Sequence, residues 1–402
     1  MLTDTLLASA RLLEPEIVAL RRAIHAEPEL GLHTPLTMAK VHEALAGLPL
    51  EWKRGTSTTG EVATLVGGKA GGDGRRVLLR GDMDALPMEE KTGLAFASTI
   101  AGRMHACGHD THTAMLVGAA KLLCAQADSL AGTVDFMFQP GEEGHHGARF
   151  MLEDGLIDPL PDAAFALHIM PNAKFGVLAG RAGPLMAAAD QFTITVTGKG
   201  GHASMPHDCA DPVPAAAAII GAVQAMVTRR FNAASAVVVT VTRMQAGTAF
   251  NVIPDDATLQ GTIRTLSAEN RAKVHALLAE VADATARAHG VEASVSITPG
   301  FPVTLCDERA VQLGEKVAQE IAGGPRGWQD LPAPIMGAED FSYVLEKVPG
   351  AMFFLGVAPD GDDWSACCAI HSPRMHVDEA ALPNGVAMLA GCALEFIENG
   401  FG

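Results

Sequence analysis

Basic residues are scarce in this chain: 29 Lys and Arg stand against 46 Asp and Glu, a formal net charge of −17. Nucleic-acid phosphates demand clustered cations, so the balance excludes a nucleic-acid partner and disfavours docking on anionic lipid. A disulfide framework is lacking as well. The seven cysteines are odd in number and only Cys367 and Cys368 are adjacent, which points to a reducing compartment. Met1-Leu2-Thr3-Asp4-Thr5-Leu6 has neither the basic start nor the sustained apolar core of a secretory signal. No run reaches the roughly 18 uninterrupted apolar residues of a membrane span. The expected setting is the cytoplasm, with no membrane contact. Internal repeats and low-complexity tracts are missing too, apart from a flexible loop at Gly67 to Arg76.

What is present is core material, 48% hydrophobic against 19% charged over 402 residues, enough for two domains. The first part alternates helix-like and strand-like segments. Residues 5–24 have helical periodicity, with Glu14, Glu16, Arg21 and Arg22 on the wet side. Short apolar runs at Val77–Leu79, Thr133–Phe138, Ala163–Leu167 and Ala351–Val357 read as buried strands, and residues 111–126 as a buried helix with Asp110 as its N-cap. Strands alternating with helices imply an α/β domain with a mainly parallel sheet. The middle differs. Gln191–Thr197 alternates strictly, a helix follows from about Pro212 to Arg229, and strands follow at Ser235–Arg243 and Ala257–Leu266. A second helix at about Ala268–His289 and a strand at Glu292–Ile297 complete a β-α-β-β-α-β order, the ferredoxin-like split unit. The expected organisation is an α/β domain of residues 1–187 and 301–402 interrupted by an α+β insertion at 188–300.

The densest chemistry lies in Met104-His105-Ala106-Cys107-Gly108-His109-Asp110-Thr111-His112. Imidazole and thiolate at fixed separation are what hold zinc-like divalent ions, whereas a core histidine usually stands alone among apolar neighbours. Further donors follow the apolar strands: Asp82 and Asp84 after the first, Glu142 and Glu143 after the second, His168 after the third, His371 beyond the fourth. Loops at the carboxyl ends of parallel strands converge on one crevice, so groups from five places in sequence can meet. Taken singly, each has a plainer reading. The Glu142-Glu143 pair could be a solvated loop, His168 a buried histidine bonded to backbone, His371 a turn residue before Ser-Pro, and the two aspartates caps or orienting groups. His145 and His146 are expected to face solvent, and His105 and His112 to orient the ligands or to be structural.

The set Gly81-Asp82-Met83-Asp84-Ala85-Leu86-Pro87, His105-Ala106-Cys107-Gly108-His109-Asp110, Gln139-Pro140-Gly141-Glu142-Glu143 and Gly200-Gly201-His202-Ala203-Ser204 resembles the amidohydrolase branch of peptidase family M20. That branch holds hippurate hydrolase-like enzymes, N-acyl-amino-acid amidohydrolases and auxin-conjugate hydrolases. The resemblance continues through Asn251-Val252-Ile253-Pro254, Gly261-Thr262-Ile263-Arg264 and Ala338-Glu339-Asp340-Phe341, covering nearly the whole chain. It implies two divalent metals per subunit (zinc, manganese, nickel or cobalt) bound by Cys107, His109, Glu143, His168 and His371, with Glu142 as general base. It also implies that the insertion is a lid and dimerisation surface, and that His202, Asn251 and Arg264 reach the substrate, His202 from the partner subunit of a homodimer or higher oligomer. The wider family carries a histidine ligand where this chain has Asp82, so Asp82, with Asp84 and His105, is placed outside the ligand shell.

The implied reaction is hydrolysis of the amide in a small N-acyl amino acid (N-acetyl, N-benzoyl or a related aryl-acyl conjugate) to a carboxylic acid and an amino acid. Three rivals stand beside it. A dipeptidase or carboxypeptidase of the same family is the nearest. A thiol hydrolase using Cys107 leaves Glu142, Glu143, His168 and His371 without a purpose. A non-catalytic binding protein leaves the Glu142-Glu143 pair without one.

Overall fold

The computed structural model describes residues 2–69, 74–359 and 368–402; residues 70–73 of the Gly67–Arg76 loop and Cys367 lie outside them. The chain forms two compact units. The first comprises Met1–Leu185, Leu305–Ala333 and Asp340–Gly402, the second Met186–Thr304 and Pro334–Glu339. The second unit is therefore more than one uninterrupted insertion. Pro334–Glu339 joins it because the Ala187 N–H donates to the carbonyls of Ile335 and Gly337, at 3.1 and 2.9 Å.

In the first unit an eight-stranded sheet runs Glu51–Arg54, Glu61–Val66, Thr133–Gln139, Arg76–Asp82, Ala163–Met170, Gly350–Gly356, Leu178–Gly180, Trp328–Asp330 in spatial order. Its centre is parallel: Arg76–Asp82 pairs with Thr133–Gln139 and Ala163–Met170, and the latter with Gly350–Gly356. These four strands are buried almost end to end, which is why their sequences read as continuous apolar runs. Register fixes the site. Asp82 stands opposite Gln139, each the last residue of its strand, and Arg80 opposite Ala166, so His168, near the end of the next strand, lies at their level.

The helix His109–Cys124 is buried over almost its whole length and packs on Leu2–Ala26, Leu382–Asn399 and the strands beneath. Its start departs from expectation. Gly108, not Asp110, is the N-cap, with φ +89°, and a side chain there would also strike Ile169. Asp110 in the first turn is fully buried, and its Oδ2 lies 2.7 Å from Arg21 Nε and 2.8 Å from His25 Nδ1. Arg21, expected on the wet side, is buried for this reason; an unpaired carboxylate inside the helix layer would be costly. The helix Leu382–Asn399 is long and apolar enough to cross a membrane, yet it is a core element, mostly buried against its neighbours.

The second unit is a four-stranded antiparallel sheet ordered Val237–Ala246, Asp256–Thr265, Ala188–Thr197, Glu292–Pro299. Numbered by sequence within the unit, this is 2-3-1-4, the ferredoxin-like order. Helices Pro212–Arg230 and Ala268–Ala288 pack on it and on each other. Asp211 and Ser267 cap them through hydrogen bonds from Val213 N and Asn270 N. Phe192, Ile194, Val196, Leu259 and Ile263 alternate toward the helices and form the core with Ile219, Val223 and Leu278.

Candidate metal centre

Five of the side chains singled out in the sequence converge in the first unit. Donor atoms of Cys107, His109 and His168 lie within 4.8 Å of one another, and so do those of Cys107, Glu143 and His371. Cys107 belongs to both triplets. His168, two residues before the end of its strand, has Nδ1 2.6 Å from the Ile169 carbonyl; this fixes the proton on Nδ1 and turns Nε2 toward Cys107 Sγ, 3.3 Å away. His371 is brought in by a backbone bond, its N–H donating to Ala106 O at 2.7 Å, and holds φ at +64°. Left-handed backbone in a non-glycine residue costs about 1–3 kcal/mol and tends to mark functional positions. Its Nε2 lies 3.3 Å from Glu143 Oε1.

Electrostatics prepares this cluster for a cation. Both ring nitrogens of His109 are buried without a hydrogen-bond partner. Such groups are costly unless something else satisfies them, and thiolate, imidazole and carboxylate together suit a borderline divalent ion. Burial opposes charge on His109, yet Asp82 and Cys107 raise its proton affinity well above the usual imidazole range, as expected in a site of negative potential. Burial, reinforced by His112, holds His168 well below that range, so it is neutral and able to ligate. Burial also pushes the Cys107 thiol up to about 12. Burial outweighs even the neighbouring His109 and keeps the Cys107 thiol from ionising, which weighs against the thiol-hydrolase rival.

Around the triplets stands a fully buried polar lattice. Asp84 accepts the backbone N–H groups of Glu142 (2.9 Å) and Glu143 (3.1 Å), and its Oδ1 lies 3.6 Å from His109 Nδ1. Asp82 accepts from Arg80 and from His112 Nδ1, each at 2.6 Å, with its Oδ2 3.5 Å from His109 Nε2. Burial works against the Asp82 anion, but Arg80, His109 and His112 outweigh it and hold the carboxyl well below its usual range. His112 Nε2 accepts from Ile169 N at 2.9 Å, so both its nitrogens are engaged. It braces His168's strand rather than offering a ligand atom. Glu142, 7% exposed, has Oε2 3.9 Å from His109 Nε2. His105 is buried beside His25 with neither nitrogen hydrogen-bonded, so no such bond ties it to the ligands.

The expectation for the two histidines after Glu143 holds for one. His145 is exposed, whereas His146 is half-buried, adopts φ +60°, and places Nδ1 2.9 Å from the Tyr343 hydroxyl. Arg80, Gln139 and His25 were not picked out from sequence; only Gln139 lay in a noticed motif. In the second unit His202 and Asn251 are neighbours, Ala203 N donating to Asn251 O at 3.1 Å. His202 Nδ1 accepts from Ser204 N at 3.2 Å, which leaves the proton on Nε2 of an exposed ring. Arg264 is half-buried on Asp256–Thr265, opposite Val238 and Ala189.

A mainly parallel sheet whose strand ends gather a thiol, three imidazoles and paired carboxylates defines a metal-site hydrolase of the α/β class. The chain belongs to peptidase family M20/M25/M40, whose model matches residues 78–395. It is 38% identical over 92% of its length to N-acetyl-L-cysteine deacetylase of Bacillus subtilis, covering 85% of that protein. It is 37% identical over 98% of its length to IAA-amino acid hydrolase ILR1-like 2 of Arabidopsis thaliana, covering 90%. Thermostable carboxypeptidase 1 of Saccharolobus solfataricus is likewise 37% identical over 98% of the chain, with 99% covered. Among solved structures, a dinuclear metal-binding peptidase of family M20 from Bacillus subtilis superposes with a TM-score of 0.83 at 34% identity, covering 96% of this chain and 99% of that one.

Proposed function

We propose that this protein is a metal-dependent amidohydrolase that cleaves N-acyl amino acids to a carboxylic acid and an amino acid. The observation that carries the reading is the pair of donor triplets sharing Cys107, with the Glu142 carboxylate beside them. Cys107, His109 and His168 would hold one divalent ion, and Cys107, Glu143 and His371 a second. When bound, such ions polarise a carbonyl and lower the pKa of water from 15.7 to roughly 7. The protein's own part is positional and protonic. Glu142, its backbone held by Asp84, takes a proton from the attacking water onto its carboxylate and delivers it to the nitrogen as the C–N bond breaks and the C–O bond forms. His202, protonated on Nε2, donates to the oxyanion. In this reading the second unit is a lid and a dimerisation surface, and His202 serves the partner subunit's site.

The relative named as a carboxypeptidase, as similar as the two acyl-amino-acid hydrolases, favours a second reading in which the substrate is a peptide. A hydrolysis panel on metal-replete enzyme decides between them. N-acetyl, N-benzoyl and indole-acyl amino acids are expected to be cleaved with higher kcat/KM than dipeptides. Dipeptides cleaved tenfold better than every acyl amino acid would establish the second reading instead.

A further inference from the structure

The motif Ala338-Glu339-Asp340-Phe341 has no part in the chemistry above, yet Asp340 is fully buried in the lattice around it. Its Oδ1 accepts from Gln139 Nε2 at 2.7 Å and from Arg80 Nη2 at 3.0 Å, and its Oδ2 accepts from Ala148 N at 2.9 Å. Gln139 ends the strand that leads into Glu142 and Glu143, and Ala148 lies in the first turn of the helix that follows them, Gly147–Glu153. One carboxylate therefore grips both stems of the loop Pro140–Gly147. The stems close on each other independently: Gly147 N donates to Gly141 O at 3.0 Å, and a side chain at Gly147 would overlap Pro140 O. Arg80 carries the grip onward, donating to Gln139 Oε1 at 2.8 Å and to Asp82 Oδ2, which faces His109.

We propose that Asp340 is a positioning residue that clamps both stems of the Pro140–Gly147 loop and so sets where Glu142 and Glu143 stand relative to His109. The inference rests on the roles given to Glu142 and Glu143 above. Asp340 grips the loop through Gln139, Ala148 and Arg80, and one of its oxygens also lies within 4.8 Å of the Glu142 carboxylate it helps to place. An unclamped loop keeps its residues but loses their placement, and a misplacement of about 1 Å can cost about a hundredfold in rate.

The test compares Asp340→Asn with the exchange Gln139→Glu/Asp340→Asn, in metal-replete and metal-free protein. In the single variant an amide N–H2 must face one of the donors Gln139, Arg80 or Ala148, and the charge beside Arg80 is lost. The exchange restores that charge, reverses the 139–340 hydrogen bond and keeps an oxygen facing Ala148. Asp340→Asn is expected to lose about a hundredfold in kcat with KM within about threefold. In metal-free protein its Ala148 amide is expected to exchange with solvent at least about tenfold faster, while the core of the helix His109–Cys124 is unchanged. The exchange variant is expected to recover at least about tenfold in kcat. A folded Asp340→Asn enzyme with kcat within about twofold of wild type and an unaltered Ala148 amide would overturn the proposal. Should that variant not fold, Asp340→Glu, which keeps the charge but displaces its oxygens by a methylene, carries the same readouts. Glu142→Gln measured alongside separates the two inferences: full turnover there removes the role of Glu142, and the clamp is then judged on Ala148 exchange alone.

Discussion

At the residue scale the decisive group is Glu142. Asp84 holds its backbone and its carboxylate lies beside His109, so substitution by glutamine removes the proton acceptor while leaving Cys107, His109, His168, Glu143 and His371 in place. Glu142→Gln is expected to retain metal and lose about 10²–10⁴-fold in kcat. A metal-replete variant with near-normal kcat, measured with metal content determined on the same sample, would sink the assignment. The donors themselves make a second prediction. Thiolate and neutral imidazole ligate only when deprotonated; burial raises the Cys107 thiol, and Asp82 and Cys107 raise His109 against its burial, so both must give up a proton to hold a cation. Protons and metal compete for the site, so acid should release the ions. Dialysis from about pH 8 to about pH 5 is expected to strip most of the metal and the activity with it, both returning on neutralisation with added ion. Metal content unchanged across that range would contradict the ligand set.

At the scale of elements, the loop after Asp84 is strapped to the core by ions as well as by backbone. His25, on Leu2–Ala26, lies between Asp110 and Glu90, with Nδ1 and Nε2 at 2.8 and 3.2 Å from their oxygens. Burial opposes a charge on His25, but the Asp110 charge and the hydrogen bonds His25 donates to Asp110 and Glu90 prevail, raising it from 6.5 to about 9. Burial also opposes ionisation of Glu90, yet bonds from His25, Thr92 and Ser98 lower it to about 2. A raised imidazole contributes stability that is complete below pH 6.5 and lost as pH climbs through about 9. A lowered carboxylate contributes stability that is complete above pH 4.5 and lost as pH falls through about 2. The strap is therefore strongest between these limits. Wild type minus His25→Gln, followed by urea unfolding of metal-free protein, should differ by about 3 kcal/mol more at pH 6 than at pH 9.5. A difference that stays flat with pH would dismiss the charged His25. None of this was legible in the sequence. Arg21 sits in a periodic stretch whose charged positions read as solvent-facing, His25 lies just beyond it, and only the tertiary contact with Asp110 explains their burial. By contrast, the strands Arg76–Asp82, Thr133–Gln139 and Ala163–Met170 announced themselves as uninterrupted apolar runs, because both their faces are covered. Glu143 and His168 could be placed together from sequence because each follows such a run, with His371 beyond the fourth; Cys107 and His109 stood out instead as one dense cluster. The clamp and strap could not, since Arg80, Gln139 and Asp340 meet across the sheet through contacts that no local spacing encodes.

At the scale of the whole molecule the second unit contributes His202. His202 pairs with Val252 across a two-stranded ribbon and has its Nδ1 occupied by Ser204, so the ring is oriented and keeps an exposed donor. If Glu142 serves its own subunit and His202 is the oxyanion donor lent by another, lesions at the two residues are complementable. His202→Ala disables the donor that a subunit lends; Glu142→Gln disables the site that receives it. Each variant alone is expected to be nearly inactive. In a mixed dimer, one of the two sites would combine an intact Glu142 with an intact His202 from the neighbour, while the other would carry both lesions. Random reassortment of equal amounts yields half mixed dimers, each with one working site of two, so about a quarter of wild-type activity should return. The same mixture prepared without dissociation and reassociation should stay inactive. If His202 instead serves its own subunit, every site in the mixture carries exactly one lesion and no activity returns. Absence of recovery in mixed dimers isolated by two affinity tags would therefore assign His202 to its own chain, and with it the closure of the second unit to a single subunit.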